Sequence, residues 1–269
     1  MTRSVESIHR LTECRANSRE RGGAFTLVEI LVVVAVIAIL LGLLLPALSR
    51  GSAAARAVRC QTSLRSVAFD FTVFADPQLH PTRGEDETRT PGRFRLETFV
   101  DSQYGVDEFW QHGTGLTAAR IASVGTDDPM RCAEITGELQ MNRNRPCMNG
   151  ALEPLQNISY GFNFRFQRTD PPGQPRSRSV LLDSGILQAG RAPLVWDVDA
   201  PLAVSQSPSN NPTFTAPPQG NSGLYASGRF WWPGLRHASA MNVAFVDGSV
   251  GTSKTPLLEE GWRWDHRPR

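Results

Sequence analysis

One apolar run near the N-terminus constrains this chain more than any other feature. Residues 30–45 contain no charged side chain, and the five residues before them carry one carboxylate, Glu29. A helix over the 21 residues from Phe25 to Leu45 would rise about 1.5 Å per residue and could span the roughly 30 Å hydrocarbon core of a bilayer. A charge inside such a helix costs roughly 2.5 to 3.5 kcal/mol, so the sequence predicts a defined partner for Glu29.

A short basic leader precedes the sequence FTLVEILVVVAVIAILLGLLLPAL, which starts at Phe25. Together they resemble the N-terminal cleavage and methylation segment of type IV prepilins and type II secretion pseudopilins. The resemblance implies that a prepilin peptidase cuts between Ala24 and Phe25 and that Phe25 becomes N-methylated. It also implies that Glu29, then the fifth residue, neutralises the N-terminal ammonium of an adjacent subunit, and that Pro46 is a helix-bending proline. Ala24 stands where glycine is usual, and a cut after Gly23 would fit the pattern less well.

Two other fates of this segment are open. It could be an uncleaved anchor, or an ordinary signal peptide whose small-residue site at 47–49 would leave Arg50 at the N-terminus. Arginines flank the run equally on both sides, so charge alone does not orient it: Arg10, Arg15, Arg19, Arg21, Arg50, Arg56, Arg59 and Arg65. The resemblance implies a single pass through the inner membrane, with the N-terminus in the cytoplasm and the head outside, and a filament or cell-surface location is also open.

The charge balance of the chain limits its expected partners, and its length limits how it divides into segments. Without the five arginines and three glutamates of residues 1–24, the 28 basic and 26 acidic residues become 23 of each. This balance gives no reason to expect nucleic acid as a partner, and no motif indicates a cofactor. We expect a leader over residues 1–24, a membrane or filament-core helix over 25–45, an amphipathic continuation over 46–75 and a β-rich head over 76–269. The expected class is α+β, with the long helix packed on an antiparallel sheet.

The continuation is predicted from its apolar spacing. Six apolar residues recur at intervals of three and four, whereas Arg56, Arg59 and Arg65 fall off that stripe; the stripe is Ala57, Cys60, Leu64, Val67, Phe71 and Phe74. Asp76 precedes Pro77, which disfavours the α conformation, so the helix is predicted to end there.

The head is predicted to consist of strands and loops. Large apolar side chains alternate over residues 158–167, which predicts a strand with one buried face. Shorter strands are expected at 180–182, 194–198 and 230–232. Residues 76–93, 171–179 and 201–222 are predicted to be loops.

A second motif lies near the C-terminus. An alternating apolar run ends in Asp247-Gly248, which predicts a β-hairpin whose turn has positive φ at both central residues. His237 precedes Asp247 by ten positions. With the N-terminal segment, this spacing resembles the H-X9-DG domain of a pilin-like family abundant in planctomycetes, as do the shorter sequences at 60–65 and 159–163. The resemblance implies export through the pilin machinery and no established activity for the domain.

Several functional alternatives rest on the remaining polar residues. His237 and Asp247 could form a dyad with Ser239 or Ser249 as nucleophile, but no nucleophile context accompanies them; we expect His237 to bond a turn backbone and Asp247 to favour a turn. Calcium could bind Asp197 and Asp199 with Asp247, although no matching loop pattern is present. Trp231 and Trp232 could contact a glycan or partner, or pack in the core.

The cysteines of the chain allow one local disulfide. With Cys14 in the leader, three cysteines remain, and a local disulfide between Cys132 and Cys147 is one possibility in an exported protein. Spacing alone neither requires nor excludes it.

Taken with the resemblance, these features favour a structural subunit of a type IV pilus-like or type II secretion-like assembly, and no enzyme. Its expected partners are the prepilin peptidase, other pilin or pseudopilin subunits and the inner membrane. The alternative is a membrane-anchored extracytoplasmic binding protein that uses the pilin signal only for export.

Overall fold

The computed structural model describes residues 26–79, 92–104, 130–135, 158–169, 178–218 and 223–266. Ala24, Phe25 and Cys147 lie outside these ranges. The chain divides into two compact units, Met1–Ser49 and Arg50–Arg269, the second of which is the head. The part of the long helix from Arg50 onward therefore belongs to the head unit.

Helix α1 comprises Leu27–Ala75, and it runs through Pro46 without interruption. It ends one residue before Asp76, as the Asp-Pro pair predicts. Asp76 then accepts a hydrogen bond from the amide of Gln78, at 2.8 Å from Oδ1, which stabilises the turn that follows.

Within the head, one stripe of α1 is buried. It contains Cys60, Leu64, Val67, Ala68, Phe71, Phe74 and Ala75. Arg56, Arg59 and Arg65 are exposed, and Ala57 is half-buried. The spacing of apolar residues therefore predicted the correct face of the helix.

The central sheet of the head has five strands, in the order β7, β2, β6, β8, β9. Their bounds are Tyr160–Asn163 (β2), Pro193–Asp197 (β6), Phe214–Thr215 (β7), Met241–Phe245 (β8) and Val250–Ser253 (β9). Strand β7 is parallel to β2, and the other neighbours are antiparallel. The sheet is therefore mixed, whereas a purely antiparallel one was predicted.

Shorter elements complete the described part of the chain. They are β1 (Arg93–Phe94), α2 (Leu96–Tyr104), β3 (Arg168–Thr169), β4 (Arg178–Ser179), β5 (Leu182–Asp183), α3 (Ala200–Gln206) and two 3-10 helices, Phe164–Phe166 and Ser184–Gln188. Strand β1 pairs with β5, and β3 pairs with β4.

Both faces of the central sheet are covered. One face packs with the buried stripe of α1 in the main core, and the other packs against a second cluster that contains Trp196, Met241, Val243, Phe245, Trp262 and Trp264. All four residues of β2 are buried, so the prediction of one buried face was wrong. Asn163 ends this strand because its side chain accepts a hydrogen bond from the amide of Arg165, at 3.0 Å.

Three local predictions are corrected. The expected loop at 201–222 contains α3 and β7, and α3 begins because the Asp199 carboxylate accepts the amide of Leu202 at 2.9 Å while Pro201 occupies the first turn. Of the strand expected at 180–182, only Leu182 lies in a strand, as the first residue of β5, and β4 ends before it at Ser179. Residues 230–232 form no strand, and the only pairing there is an isolated bridge between Val198 and Pro233.

Candidate functional site

The N-terminal turn of α1 is closed by Thr26 and Glu29. The Glu29 carboxylate accepts hydrogen bonds from the amide of Thr26 at 2.8 Å and from its hydroxyl at 3.0 Å. In return the amide of Glu29 donates to Thr26 Oγ1 at 3.3 Å. This reciprocal arrangement is a capping box, and it satisfies donors that a helix start leaves unpaired. The sequence signal, Thr-Leu-Val-Glu, was present but was interpreted only for its charge.

Behind this cap lies a continuous apolar surface. Every large apolar side chain of α1 from Leu27 to Leu48 exposes at least 49 % of its area. Among the described residues, α1 is the one helix long and apolar enough to cross a membrane, by length and composition. A surface of this extent requires lipid or protein to cover it.

A second polar site lies inside the head, where His237 meets Asp197. The two side chains are almost fully buried, and His237 Nε2 lies 3.5 Å from Asp197 Oδ2. Asp197 also accepts hydrogen bonds from Arg236 Nη2 at 2.7 Å and from the amide of Asn242 at 2.8 Å. The imidazole's other nitrogen, Nδ1, lies 3.3 Å from Glu134 Oε1. Both carboxylate oxygens of this buried side chain thus have hydrogen-bond donors, as a buried carboxylate requires.

The same site contains a disulfide between Cys60 of α1 and Cys132. Cys132 Sγ lies 3.5 Å from His237 Nε2. Because Cys132 is bonded to Cys60, the predicted pairing of Cys132 with Cys147 is wrong. Only the partner near in sequence was considered, but folding brings the remote one within bonding distance, 5.0 Å between Cα atoms.

A tight turn positions His237. Ala238 and Ser239 both have positive φ, 53° and 61°. The amide of His237 donates to the carbonyl of Ala240, and the amide of Ala240 donates to the carbonyl of His237, at 3.2 and 3.1 Å. Paired backbone bonds around two left-handed residues are typical of a type I′ turn. The backbone of His237 thus makes the turn, whereas its side chain enters the buried site and does not bond a turn backbone as predicted.

The predicted hairpin between β8 and β9 is present, with a different turn. Of Asp247 and Gly248, only Gly248 has positive φ, at 82°. The Asp247 carboxylate accepts hydrogen bonds from the amide and hydroxyl of Ser249, at 2.9 and 2.6 Å. Asp247 is exposed on this turn, and the carboxylate beside His237 is Asp197. The His237–Asp247 dyad is therefore replaced by a His237–Asp197 contact.

Electrostatics favour a protonated His237. Burial alone lowers the pKa of this imidazole, but the hydrogen bond and negative charge of Asp197, together with the charge of Glu134, raise the pKa above its ordinary value. Burial and the nearby charge of Asp197 also raise the pKa of Tyr160, whose hydroxyl donates to the carbonyl of Cys60 at 3.3 Å. Tyr160 therefore stays neutral and supports the backbone beside the disulfide.

The remaining candidates have other roles in the structure. Asp197 pairs with Arg236, and Asp199 caps α3, so both calcium candidates already have partners. Trp232 is fully buried, and its indole donates to Gln206 Oε1 at 2.8 Å, whereas Trp231 packs partly buried against the second cluster. Core packing, the alternative weighed for this pair, accounts for Trp232.

Sequence reasoning missed the residues that complete the buried site. Cys60 lies 72 positions from Cys132, and Asp197 lies 45 positions from Asn242. Glu134 and Arg236 were not singled out at all. The only sequence signal for either residue is that Arg236 is adjacent to His237.

Comparison with known proteins finds no match: no family model, no curated protein and no solved structure matches the chain. The resemblance to prepilins and to the H-X9-DG domain therefore rests on the sequence motifs alone.

Proposed function

We propose that this chain is a pilin-like structural subunit, cut by a prepilin-type peptidase between Ala24 and Phe25 and assembled through α1. The observation that supports this most directly is the apolar surface from Leu27 to Leu48, which is exposed throughout and carries one carboxylate at its start. We place this segment in the inner membrane before assembly, with the N-terminus in the cytoplasm and the head outside. In a filament, neighbouring helices would cover the same surface.

Glu29 has a physical reason to take part in assembly. Its carboxylate bonds the first turn of its own helix, where the positive end of the helix dipole also favours it. Those hydrogen bonds leave its full negative charge in place. When apolar helices surround it, that charge requires a cation, and the N-terminal ammonium of a processed neighbour is a suitable one.

Processing is tested by the mass of the mature N-terminus. We expect N-methylated Phe25, and we expect residues 1–24 to remain attached in cells that lack the peptidase. An N-terminus at Arg50 would identify an ordinary signal peptide. Residues 1–24 retained with the peptidase present would identify a plain anchor.

Assembly is tested by comparing three variants. Glu29→Gln removes the charge and keeps a hydrogen-bond acceptor, whereas Thr26→Val removes the capping hydroxyl and keeps the charge. Glu260→Gln changes an exposed glutamate of the head and is the matched control. We expect Glu29→Gln to insert into the membrane and to be strongly depleted from purified filaments. Thr26→Val and the control should be incorporated nearly as well as wild type.

Other outcomes are equally informative. If Thr26→Val is depleted as strongly as Glu29→Gln, the carboxylate acts through the capping box and not through a neighbouring subunit. If the wild-type chain is absent from filaments but membrane-bound with its head exposed, the alternative of an anchored binding protein replaces this proposal.

A further inference from the structure

We propose that the reduced form of this protein binds one thiophilic divalent cation, such as zinc, through Cys60, Cys132 and His237. These residues come from α1, from the segment 130–135 and from the turn at 237–240, and all three are buried. One ligand atom from each lies within 4.8 Å of the other two. Cys60 and Cys132 would thus form a disulfide when oxidised and bind the ion when reduced.

The distance between Cys132 and His237 fits a tetrahedral ion. Zinc bonds thiolate sulfur at about 2.3 Å and imidazole nitrogen at about 2.0 Å, which places sulfur and nitrogen ligands roughly 3.5 Å apart. Cys132 Sγ and His237 Nε2 are 3.5 Å apart. In the reduced protein the two sulfurs would have to move apart to roughly 3.8 Å to admit the ion. We assign three protein ligands, because Asp197 is already held by Arg236 and Asn242, and water would complete the coordination.

Groups around the three ligands support the same assignment. Glu134 Oε1 lies 3.3 Å from His237 Nδ1, the nitrogen that would face away from the ion. A carboxylate in that position fixes the tautomer of a metal-bound histidine and strengthens it as a ligand. The amide of Ala133 donates to Cys60 Sγ at 3.2 Å, an interaction that stabilises a thiolate.

Conversion of the disulfide to the metal site begins with a two-electron reduction. A dithiol reductant supplies two electrons and two protons, the Cys60–Cys132 bond breaks, and the reductant becomes a disulfide. The ion then binds both sulfurs as thiolates and His237 through a neutral Nε2, and it displaces the two thiol protons and the Nε2 proton. Either state ties α1 to the segment 130–135, so the ion would replace the connection that reduction removes.

Metal binding is tested on the full chain in detergent micelles, with Cys14→Ser and Cys147→Ser as the background. The protein is reduced with a phosphine under nitrogen and titrated with Co²⁺, then with Zn²⁺. We expect one cobalt per chain, a thiolate-to-cobalt charge-transfer band and the visible bands of a tetrahedral ion, all lost when zinc is added. The oxidised protein should show none of these bands.

Variants assign the ligands. Cys132→Ser should abolish the charge-transfer spectrum of a two-thiolate site, and His237→Gln should weaken cobalt binding at least tenfold. Glu134→Gln should weaken binding roughly tenfold, the usual effect of losing a carboxylate behind a histidine ligand. His266→Gln is the matched control, since His266 belongs to no such cluster in the described part of the chain.

The result that overturns the proposal is a reduced wild-type protein without a charge-transfer band at equimolar cobalt. Equal binding by wild type and His237→Gln would also overturn it, because the ion would then be held elsewhere. Tryptophan fluorescence shows whether each variant is folded. If His237→Gln unfolds, the variant of the half-buried Glu134, Glu134→Gln, decides whether the imidazole is a ligand.

Discussion

Replacing both Cys60 and Cys132 with serine is expected to destabilise the head by about 4 kcal/mol at 25 °C. The two cysteines are 72 positions apart, and loop closure of that length in the unfolded chain accounts for a figure of about this size. The double replacement avoids leaving a single buried thiol. Against a typical total of about 5 to 15 kcal/mol, this loss is large. It corresponds to roughly 8 to 16 °C in melting temperature for a domain of this size.

The assay is unfolding of the full chain in detergent, followed by tryptophan fluorescence. All six tryptophans of the chain lie in the head, so the signal reports on that unit and not on the apolar part of α1. Cys14→Ser and Cys147→Ser again provide the background, because they leave the pair under test unchanged. Wild type under reducing conditions should approach the stability of the double variant.

The pairing itself is tested by peptide mapping without reduction. Trypsin separates the three head cysteines, which fall in peptides 60–65, 132–143 and 144–165. We expect a crosslink between the first two. A crosslink between the second and third would refute the pairing. A double variant less than about 1 kcal/mol below wild type would refute the loop-closure reasoning.

Three further predictions concern single residues of the head. Gly161→Ala should cost about 1 to 3 kcal/mol, because its Cβ would lie 2.7 Å from the carbonyl oxygen of Pro212, whereas Gly223→Ala, with open space, is the control; equal stabilities would contradict the close packing. Ala238→Val should cost about 1 kcal/mol or more, because a β-branched residue tolerates positive φ poorly, and Ala238→Gly should be neutral or stabilising; equal losses would mean that the turn is not left-handed. The raised folded-state pKa of His237 gives stability that is fully present below about pH 6.5 and is lost as pH rises through that pKa. The difference in melting temperature between wild type and His237→Gln should therefore be larger near pH 6 than near pH 8, and a constant difference would contradict the charged contact with Asp197.

Local signals predicted the parts of this fold that depend on neighbours in sequence. The buried stripe of α1, its end before Asp76 and the hairpin after Phe245 each follow from spacing or from one dipeptide. The C-terminal strands were found for the same reason. Helix α3 was missed although Asp199 caps it and Pro201 lies in its first turn. Both residues lie beside a Ser/Pro-rich stretch, and that composition led to the prediction of a loop.

The buried site could not be predicted, because its members meet only in the folded head. The type I′ turn uses Ala238 and Ser239, neither of which is a usual residue for positive φ, so tertiary contacts override local preference there. Cys60 and Asp197 reach His237 from remote elements. His237 itself was singled out from the motif, but its partner was chosen by spacing, and the true carboxylate is on β6.

The edge strands of the central sheet affect whether the sheets of neighbouring heads can pair with each other. Strand β7, at one edge, has two residues, both buried, and β9, at the other, has four and is contacted by Gln61 of α1 at 3.1 Å from Thr252 Oγ1. Short or covered edges offer few unpaired backbone groups to a second chain. Two heads brought close together would then have little tendency to pair through the edges of this sheet.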